Sequence, residues 1–435
     1  MTLANKVLIA LVAAVFAGII LNLNEMTAVP WVNDYLINGV FDTVGQLFVS
    51  ALKMLIVPLI LFSLIPGILG IGDIRLLGKV GGKSFALYIT TTAIAISTAI
   101  AFASISDIGT GLSIPLTESF EGKEASKSFK EIIIGIIPSN IIAAMANADT
   151  LAIIFVSILF GIALLIEAKK TVDLIKFIDQ MNIVVLRVVE LVMIFAPYAV
   201  FCLVAKAVSE LGFRLIWEVS GYFVVLVTAL LFHAFVTQMI ILKLFTGLSI
   251  TTFLKKMRNV QLFAFSTSSS AATIPVTLRT VQQRLGVDRA IASFNVPFGA
   301  TINMDGTAIM QGVATVFIAN LYGIELGLTG YITVIITAVL ASVGTAAVPG
   351  VGLVMLSLVF NQVGLPIEAI GYIIGVDRIL DMIRTAVNVT GDAMVSTVVA
   401  KSENRLDTDV YNNMEAGVID DDMVCLLYTS DAADD

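Results

Sequence analysis

The chain has 435 residues, of which 58% are hydrophobic and only 13% charged, with a mean hydropathy of +0.98. So few charges cannot cover that much apolar surface in water, which excludes a soluble globule. Two distant cysteines, Cys202 and Cys425, exclude a disulfide scaffold, and the lack of a basic patch argues against nucleic-acid binding. A polytopic membrane protein remains. The net charge of −8 belongs to the end of the chain: residues 401–435 hold ten acidic and two basic residues, and 23 of each sign precede them. Residues 403–435 are therefore read as an acidic, disordered cytoplasmic tail.

A helix needs about 20 apolar residues to cross the hydrocarbon core. Such runs are predicted near 5–24, 44–70, 81–106, 151–168, 179–207 and 217–245. The first lacks a small-residue cleavage site and leads into more apolar runs, so it reads as a retained span. A polar loop follows at 105–131, and then Glu131 to Ala146, broken by Pro138, prefaces the fourth span. With a cytoplasmic N-terminus, sixteen Lys and Arg fall on inner segments and five on outer loops. That bias puts both termini inside and requires 250–287 to enter and leave on the cytoplasmic side, as a re-entrant hairpin would.

Beyond residue 250 the sequence stays apolar yet fills with Ser, Thr, Asn, Asp and Gly. Two passages echo each other. Ser268-Ser269-Ser270-Ala271-Ala272-Thr273-Ile274-Pro275 is followed by Asn303-Met304-Asp305-Gly306-Thr307-Ala308. Ser342-Val343-Gly344-Thr345-Ala346-Ala347-Val348-Pro349-Gly350 is followed by Asn388-Val389-Thr390-Gly391-Asp392-Ala393. Each reads as a small-residue turn and then a polar break in an apolar helix, the pattern of two structural repeats. Non-helical backbone at membrane depth must face protein, water or a ligand. Half-helix starts suit carboxylates, and freed carbonyls suit Na⁺. In the last helix Asp377, Asp381, Arg384, Asn388 and Asp392 are spaced 4, 3, 4 and 4, which places them on one face. Intramembrane charges normally mark a site. Mutual neutralisation of Asp381 and Arg384 is the plainer explanation, but it leaves Asn388 and Asp392 without a reason.

The Ser-rich tip at 268–270, Asn303-Met304-Asp305-Gly306-Thr307 and the run Asp381 to Asp392 resemble the dicarboxylate/amino acid:cation symporters, through most of 45–402. The resemblance implies an all-α membrane fold of eight transmembrane helices with two opposed re-entrant hairpins, in inverted repeats and as a homotrimer. It implies that residues 1–250 are mainly scaffold, with spans 3 and 6 joining the moving unit. Residues 250–402 would be the transport core: hairpin 250–286, span 287–322, hairpin 328–364 and span 366–400. It also implies roles. Arg384 is similar to the arginine that holds a substrate side-chain carboxylate, as a planar guanidinium can. Asp381 resembles the acceptor of the α-amino group. Asn388 and Thr307 match contacts to the α-carboxylate and side chain, with Ser269, Ser270, Gly352 and Thr385 completing the cradle. For Na⁺, Asp392 with the carbonyls of Gly299, Asn303 and Asn388 resembles one site. Ser342, Val343 and Thr345 with Thr301 and Met304 resemble a second. Tyr88, Thr91 and Thr92 with Asn303 and Asp305 resemble a third. Four positions depart from relatives: Ser268 and Met382 stand where some carry arginine, Arg378 lies one turn earlier, and Ala347 replaces a common glycine.

The expectation is therefore a Na⁺-coupled symporter of L-aspartate and/or L-glutamate in the inner or plasma membrane, working by an elevator-type alternating access and moving about two to three Na⁺. Its partners would be the acidic amino acid, sodium ions, the bilayer and two further copies of the chain, with no nucleic acid. A neutral-amino-acid carrier would leave Arg384 unpaired. A C4-dicarboxylate would meet Asp381 as a like charge. An intramembrane aspartyl protease using Asp305 and Asp392 would leave Arg384 and both hairpins unexplained, and substrate-binding charges argue against a channel. His233 reads as a satisfied core histidine, Arg187 and Glu190 as an i, i+3 pair, and Lys53 as snorkelling or facing a neighbouring subunit.

Overall fold

The computed structural model describes residues 3–23, 26–69, 80–111, 134–147, 149–343 and 350–417. Over these residues the chain is helical and has no strands, apart from one antiparallel bridge between Val287 and Leu406. Helix α1 is Leu3–Leu23; α2, Asp42–Leu69, continues from a π-helical stretch at Val32–Phe41; α3 is Gly82–Ile105. The Asn140 side chain accepts from the N–H groups of Ile142 and Ala143 and starts the short α4, Ile141–Ala146, ahead of α5, Thr150–Ile166.

The run expected at 179–207 is divided. Helix α6, Val172–Met193, ends before α7, Ala196–Phe232, which has Pro197 in its first turn. Proline has no N–H with which to continue α6, but it fits a helix start. Helix α7 is itself broken at Gly212, whose φ of 63° only glycine adopts readily. The run expected at 217–245 is the part beyond that break, carried through a π-helical turn at His233–Thr237 into α8, Gln238–Thr246.

The last third contains α9, Ile250–Thr267; α10, Ser270–Arg279; α11, Arg289–Ile302; α12, Asp305–Leu321; α13, Gly327–Ser342; α14, Val351–Val363; and α15, Ile370–Ser402. Helix α15 packs against α7, α9, α11 and α12, and α12 packs against α3. Among the described residues, four helical stretches are long and apolar enough to cross a membrane: Lys6–Leu23, Val32–Pro66, Gly82–Ile105 and Ala196–Thr246. Helix α1 exposes Ile9, Val12, Phe16 and Ile20, apolar surface that suits lipid rather than water. Helix α12 is the opposite: all but Asn320 is buried, polar Gln311 and Thr315 included.

Two side expectations change here. Lys53 is fixed by Glu368 at 2.7 Å, so its charge is met within the chain. Residues 403–417, read as disordered tail, form turns and a short helix anchored at the buried Tyr411, while most of their side chains stay exposed. Lys256, fully buried, donates from Nζ to the carbonyls of Arg284 (2.6 Å), Val410 (2.8 Å) and Asn413 (2.9 Å), and the Tyr411 hydroxyl donates to the Ser249 carbonyl. A buried ammonium satisfied by three carbonyls draws this segment, with α16 at Thr408–Asn412, onto the base of α9. Arg187 and Glu190 do pair, at 2.6 Å. Residues 418–435 lie outside the described residues.

Candidate functional site

The site is built where α15, which carries the second polar passage, crosses the first. Arg384, 1% exposed, donates from Nη1 to Asp377 Oδ1 at 2.8 Å and from Nη2 to Asp381 Oδ1 at 2.9 Å. A side chain at Gly352, in the first turn of α14, would stand 3.2 Å from Arg384 Nη2, so that turn lies against the guanidinium. On the other side, a Cβ at Gly306 would stand 2.7 Å from the Arg384 carbonyl oxygen. Gly306 is thus where α12 and α15 touch backbone to backbone, and its N–H donates to Asn388 Oδ1 at 2.7 Å. Thr307 and Thr385 are buried beside this contact, and Thr385 donates to the Asp381 carbonyl.

Asn303 ties the two passages together. It breaks the helix between α11 and α12 with an extended backbone, and its Nδ2 donates to the Asn388 carbonyl and to Asp392 Oδ1, both at 2.9 Å. Its own Oδ1 is buried with no hydrogen-bond partner. Gly299 lies against both Asp392 and the Tyr88 hydroxyl, and that hydroxyl donates to the Asn295 carbonyl. The first expected Na⁺ set is therefore gathered. Of the third, Thr91, Thr92 and Asp305 meet: Thr92 donates to Asp305 Oδ1 at 2.7 Å and Thr91 at 3.4 Å; Tyr88 and Asn303, buried as well, bond to other partners.

The second set is not drawn together by hydrogen bonds. Ser342 donates to Val339 and Thr301 to Phe298, each within its own helix. Val343 is buried, Met304 receives a 3.4 Å contact from Asn388 Nδ2, and Thr345 lies outside the described residues. At the other tip, Ser268 adopts φ 51° to end α9, and Ser269 caps α10 by accepting from the Ala272 N–H; Ser270 is buried.

Three findings were not foreseen. Asp377, on the charged stripe but given no role, is a direct partner of Arg384; its i, i+7 spacing was the available signal. His233 is no ordinary core histidine: Nε2 lies 2.9 Å from Asp305 Oδ2, both fully buried, while Nδ1 has no partner. Seventy-two residues separate that pair, and nothing local in sequence announces it. The second passage, read as a break, is continuous helix from Ile370 to Ser402. Asp305 and Asp392 also engage different partners, His233 and Thr92 against Asn303, which is not the shared-proton pairing of a protease dyad.

The model of the sodium:dicarboxylate symporter family matches residues 3–402. A proton/glutamate-aspartate symporter of Escherichia coli (strain K12) is 33% identical over 417 residues, covering 93% of this chain and 94% of its own. A proton/sodium-glutamate symport protein of Geobacillus stearothermophilus is 32% identical over 411 residues, covering 93% and 95%. A C4-dicarboxylate transport protein of Bacillus subtilis (strain 168) is 30% identical over 414 residues, covering 94% and 96%.

Proposed function

Because the chain belongs to the sodium:dicarboxylate symporter family, making it a membrane transporter and not an enzyme, we propose that it moves L-aspartate and/or L-glutamate inward together with Na⁺. The observation that carries this reading is the fully buried Arg384, held between two aspartates and lying against Gly352 and Gly306. A guanidinium at that depth is a fork for a carboxylate. The substrate side-chain carboxylate takes Arg384 in exchange for its aspartates. Asp381, freed at Oδ1, takes the ammonium. Asn388, Thr307, Thr385 and the N–H groups near Ser269, Ser270 and Gly352 hold the rest.

Na⁺ enters the same network as cargo. The donor set is oxygen: the Asp392 and Asp305 carboxylates, the Thr91, Thr92 and Tyr88 hydroxyls, and the Asn303 and Asn388 amides and carbonyls. The buried, unpartnered Asn303 Oδ1 fits a hard cation better than it fits an apolar core. A second set would use Ser342, Val343, Thr345, Thr301 and Met304. Since substrate and ion share Asn388 and the 303–307 break, each must raise the other's affinity by the same factor.

In this reading eight spans and two re-entrant hairpins form a homotrimer with both termini cytoplasmic. The early spans are static, and the unit of spans 3 and 6 with residues 250–402 moves. The test is uptake of labelled L-aspartate into proteoliposomes with and without a Na⁺ gradient, in competition with glutamate, succinate and serine. Uptake that needs Na⁺ and yields to glutamate supports the reading. Uptake that ignores Na⁺ and follows pH moves the chain to proton coupling, and stronger inhibition by succinate than by glutamate replaces the amino acid with a dicarboxylate.

A further inference from the structure

Arg378 is the charged side chain of this face that the substrate cradle leaves without a role. Its Nη1 lies 3.5 Å from Asp381 Oδ2, an ion pair rather than a hydrogen bond. Asp381 Oδ1 meanwhile accepts from Arg384. The two oxygens of one carboxylate thus serve two different arginines. Side-chain exposure rises along the series, from 1% at Arg384 through 9% at Asp377 and 14% at Asp381 to 21% at Arg378. Arg378 is therefore the outermost member of an alternating row, and with two charges of each sign the row is neutral. Its Nε is buried with no hydrogen-bond partner, so the guanidinium is not anchored there by another acceptor.

An acidic amino acid brings two carboxylates and one ammonium. As its side-chain carboxylate claims Arg384, Asp381 loses one of its two cations before the ammonium arrives at Oδ1. A carboxylate left alone in so buried a place is strongly disfavoured. Arg378 lies on Oδ2, the oxygen outside that exchange. Without it the row would also carry a net negative charge toward an incoming anion. Resting on the reading of Asp381 as the ammonium acceptor, we propose that Arg378 is a positioning residue that holds Asp381 by the oxygen the substrate does not use.

The experiment titrates L-aspartate into the purified full chain at fixed saturating Na⁺, for wild type, Arg378→Gln, Arg378→Lys, Asp381→Asn and the double variant Arg378→Gln/Asp381→Asn. Thermal unfolding without aspartate checks that each is folded. Arg378→Gln weakens aspartate by about tenfold, and Arg378→Lys, which restores the charge, stays within about threefold of wild type. In the Asp381→Asn background, Arg378→Gln adds no further loss, because the carboxylate it compensates is gone. Arg378→Gln within about threefold of wild type overturns the proposal, as does Arg378→Lys as weak as Arg378→Gln. A tenfold loss that persists in the Asp381→Asn background overturns it too, since Arg378 would then act elsewhere. If Asp381→Asn alone leaves aspartate affinity unchanged, the failure lies in the reading of Asp381 and not in Arg378.

Discussion

The two polar passages use much the same alphabet, Asn303 to Ala308 and Asn388 to Ala393, and the fold treats them differently. The first is a true interruption: Asn303 and Met304 leave the helical region, and α12 starts again at Asp305. The second runs through α15 without a break. What differs is the neighbour each must admit. At the first, Gly306 lets the α15 backbone approach at Arg384. At the second, Gly391 lets the Asn303 amide approach, since a Cβ there would stand 2.5 Å from Asn303 Nδ2. One passage gives up its helix to present backbone and an asparagine amide. The other keeps its helix, so that side chains seven and four residues apart stay aligned on one face. Similar composition does not dictate similar backbone; the contact each passage makes decides it.

The largest effect is expected where the intact helix presents its charge. Arg384→Cys removes the buried guanidinium proposed to fork onto a side-chain carboxylate and leaves Asp377 and Asp381 without their shared cation. Loss of a buried charged hydrogen-bonding partner should weaken aspartate binding by on the order of a hundredfold or more. Isothermal titration checks it, and an affinity within about threefold of wild type would refute the assignment. Asp392→Asn should come next. It exchanges the carboxylate that accepts from Asn303 for a neutral amide, and should weaken Na⁺ by roughly ten- to a hundredfold. By linkage, aspartate affinity should then lose most of its dependence on Na⁺ concentration. A Na⁺ series at fixed aspartate decides whether Asp392 holds the ion.

Much of this was legible in the residues alone. Apolar run length located α1, α2 and α3 to within a few residues, because spanning a bilayer fixes a minimum length, and an unbroken apolar run located the shorter α5. The charged stripe of α15 was readable because helical spacing is rigid. The break inside 179–207 was also written in Pro197, yet hydropathy averages over it. The partners that complete the site come from distant elements: His233 on Asp305, Asn303 on Asp392, Lys256 on the carbonyls near 410–413. Which buried polar group finds which partner depends on packing, and single-sequence periodicity carries no record of it. The apparently featureless acidic tail shows the same limit, since its first residues are fixed by a lysine about 150 positions upstream.

A pair of glycine substitutions separates the two passages directly. Gly306→Ala drives a methyl group against the backbone of α15, which cannot move without shifting the whole helix. Overpacking of that kind should destabilise the chain by about 1–3 kcal/mol. Gly391→Ala first meets the ends of the Asn303 and Gln238 side-chain amides, which can shift at the cost of their hydrogen bonds while the backbone stays in place. Its stability loss should be the smaller of the two, while its Na⁺ affinity should fall because Asn303 is displaced. Thermal unfolding together with Na⁺ titration reads both. Equal destabilisation by the two would mean that the second passage is as tightly packed against backbone as the first.

The smallest effect is expected at the turn that precedes the first passage. Ser269 starts α10 by accepting from the Ala272 N–H at 3.2 Å, with an extended backbone of φ −140°, ψ 113°. The start of a helix leaves several N–H groups without an intrahelical acceptor, and here the side chain supplies one. At the tip before the second passage, Gly350 takes the position before α14 with φ 86° and offers no side-chain oxygen. The residue before α10 thus supplies a capping oxygen, and the residue before α14 supplies none. Ser269→Ala should lower stability by about 1 kcal/mol, and Ser269→Gly by only a few tenths, because glycine leaves the N–H groups open to other acceptors. Unfolding midpoints measured in detergent without aspartate keep this separate from any part Ser269 plays in binding. If the glycine variant is as unstable as the alanine variant, the cap is not what begins α10, and the Ser-rich tip owes its composition to the substrate alone.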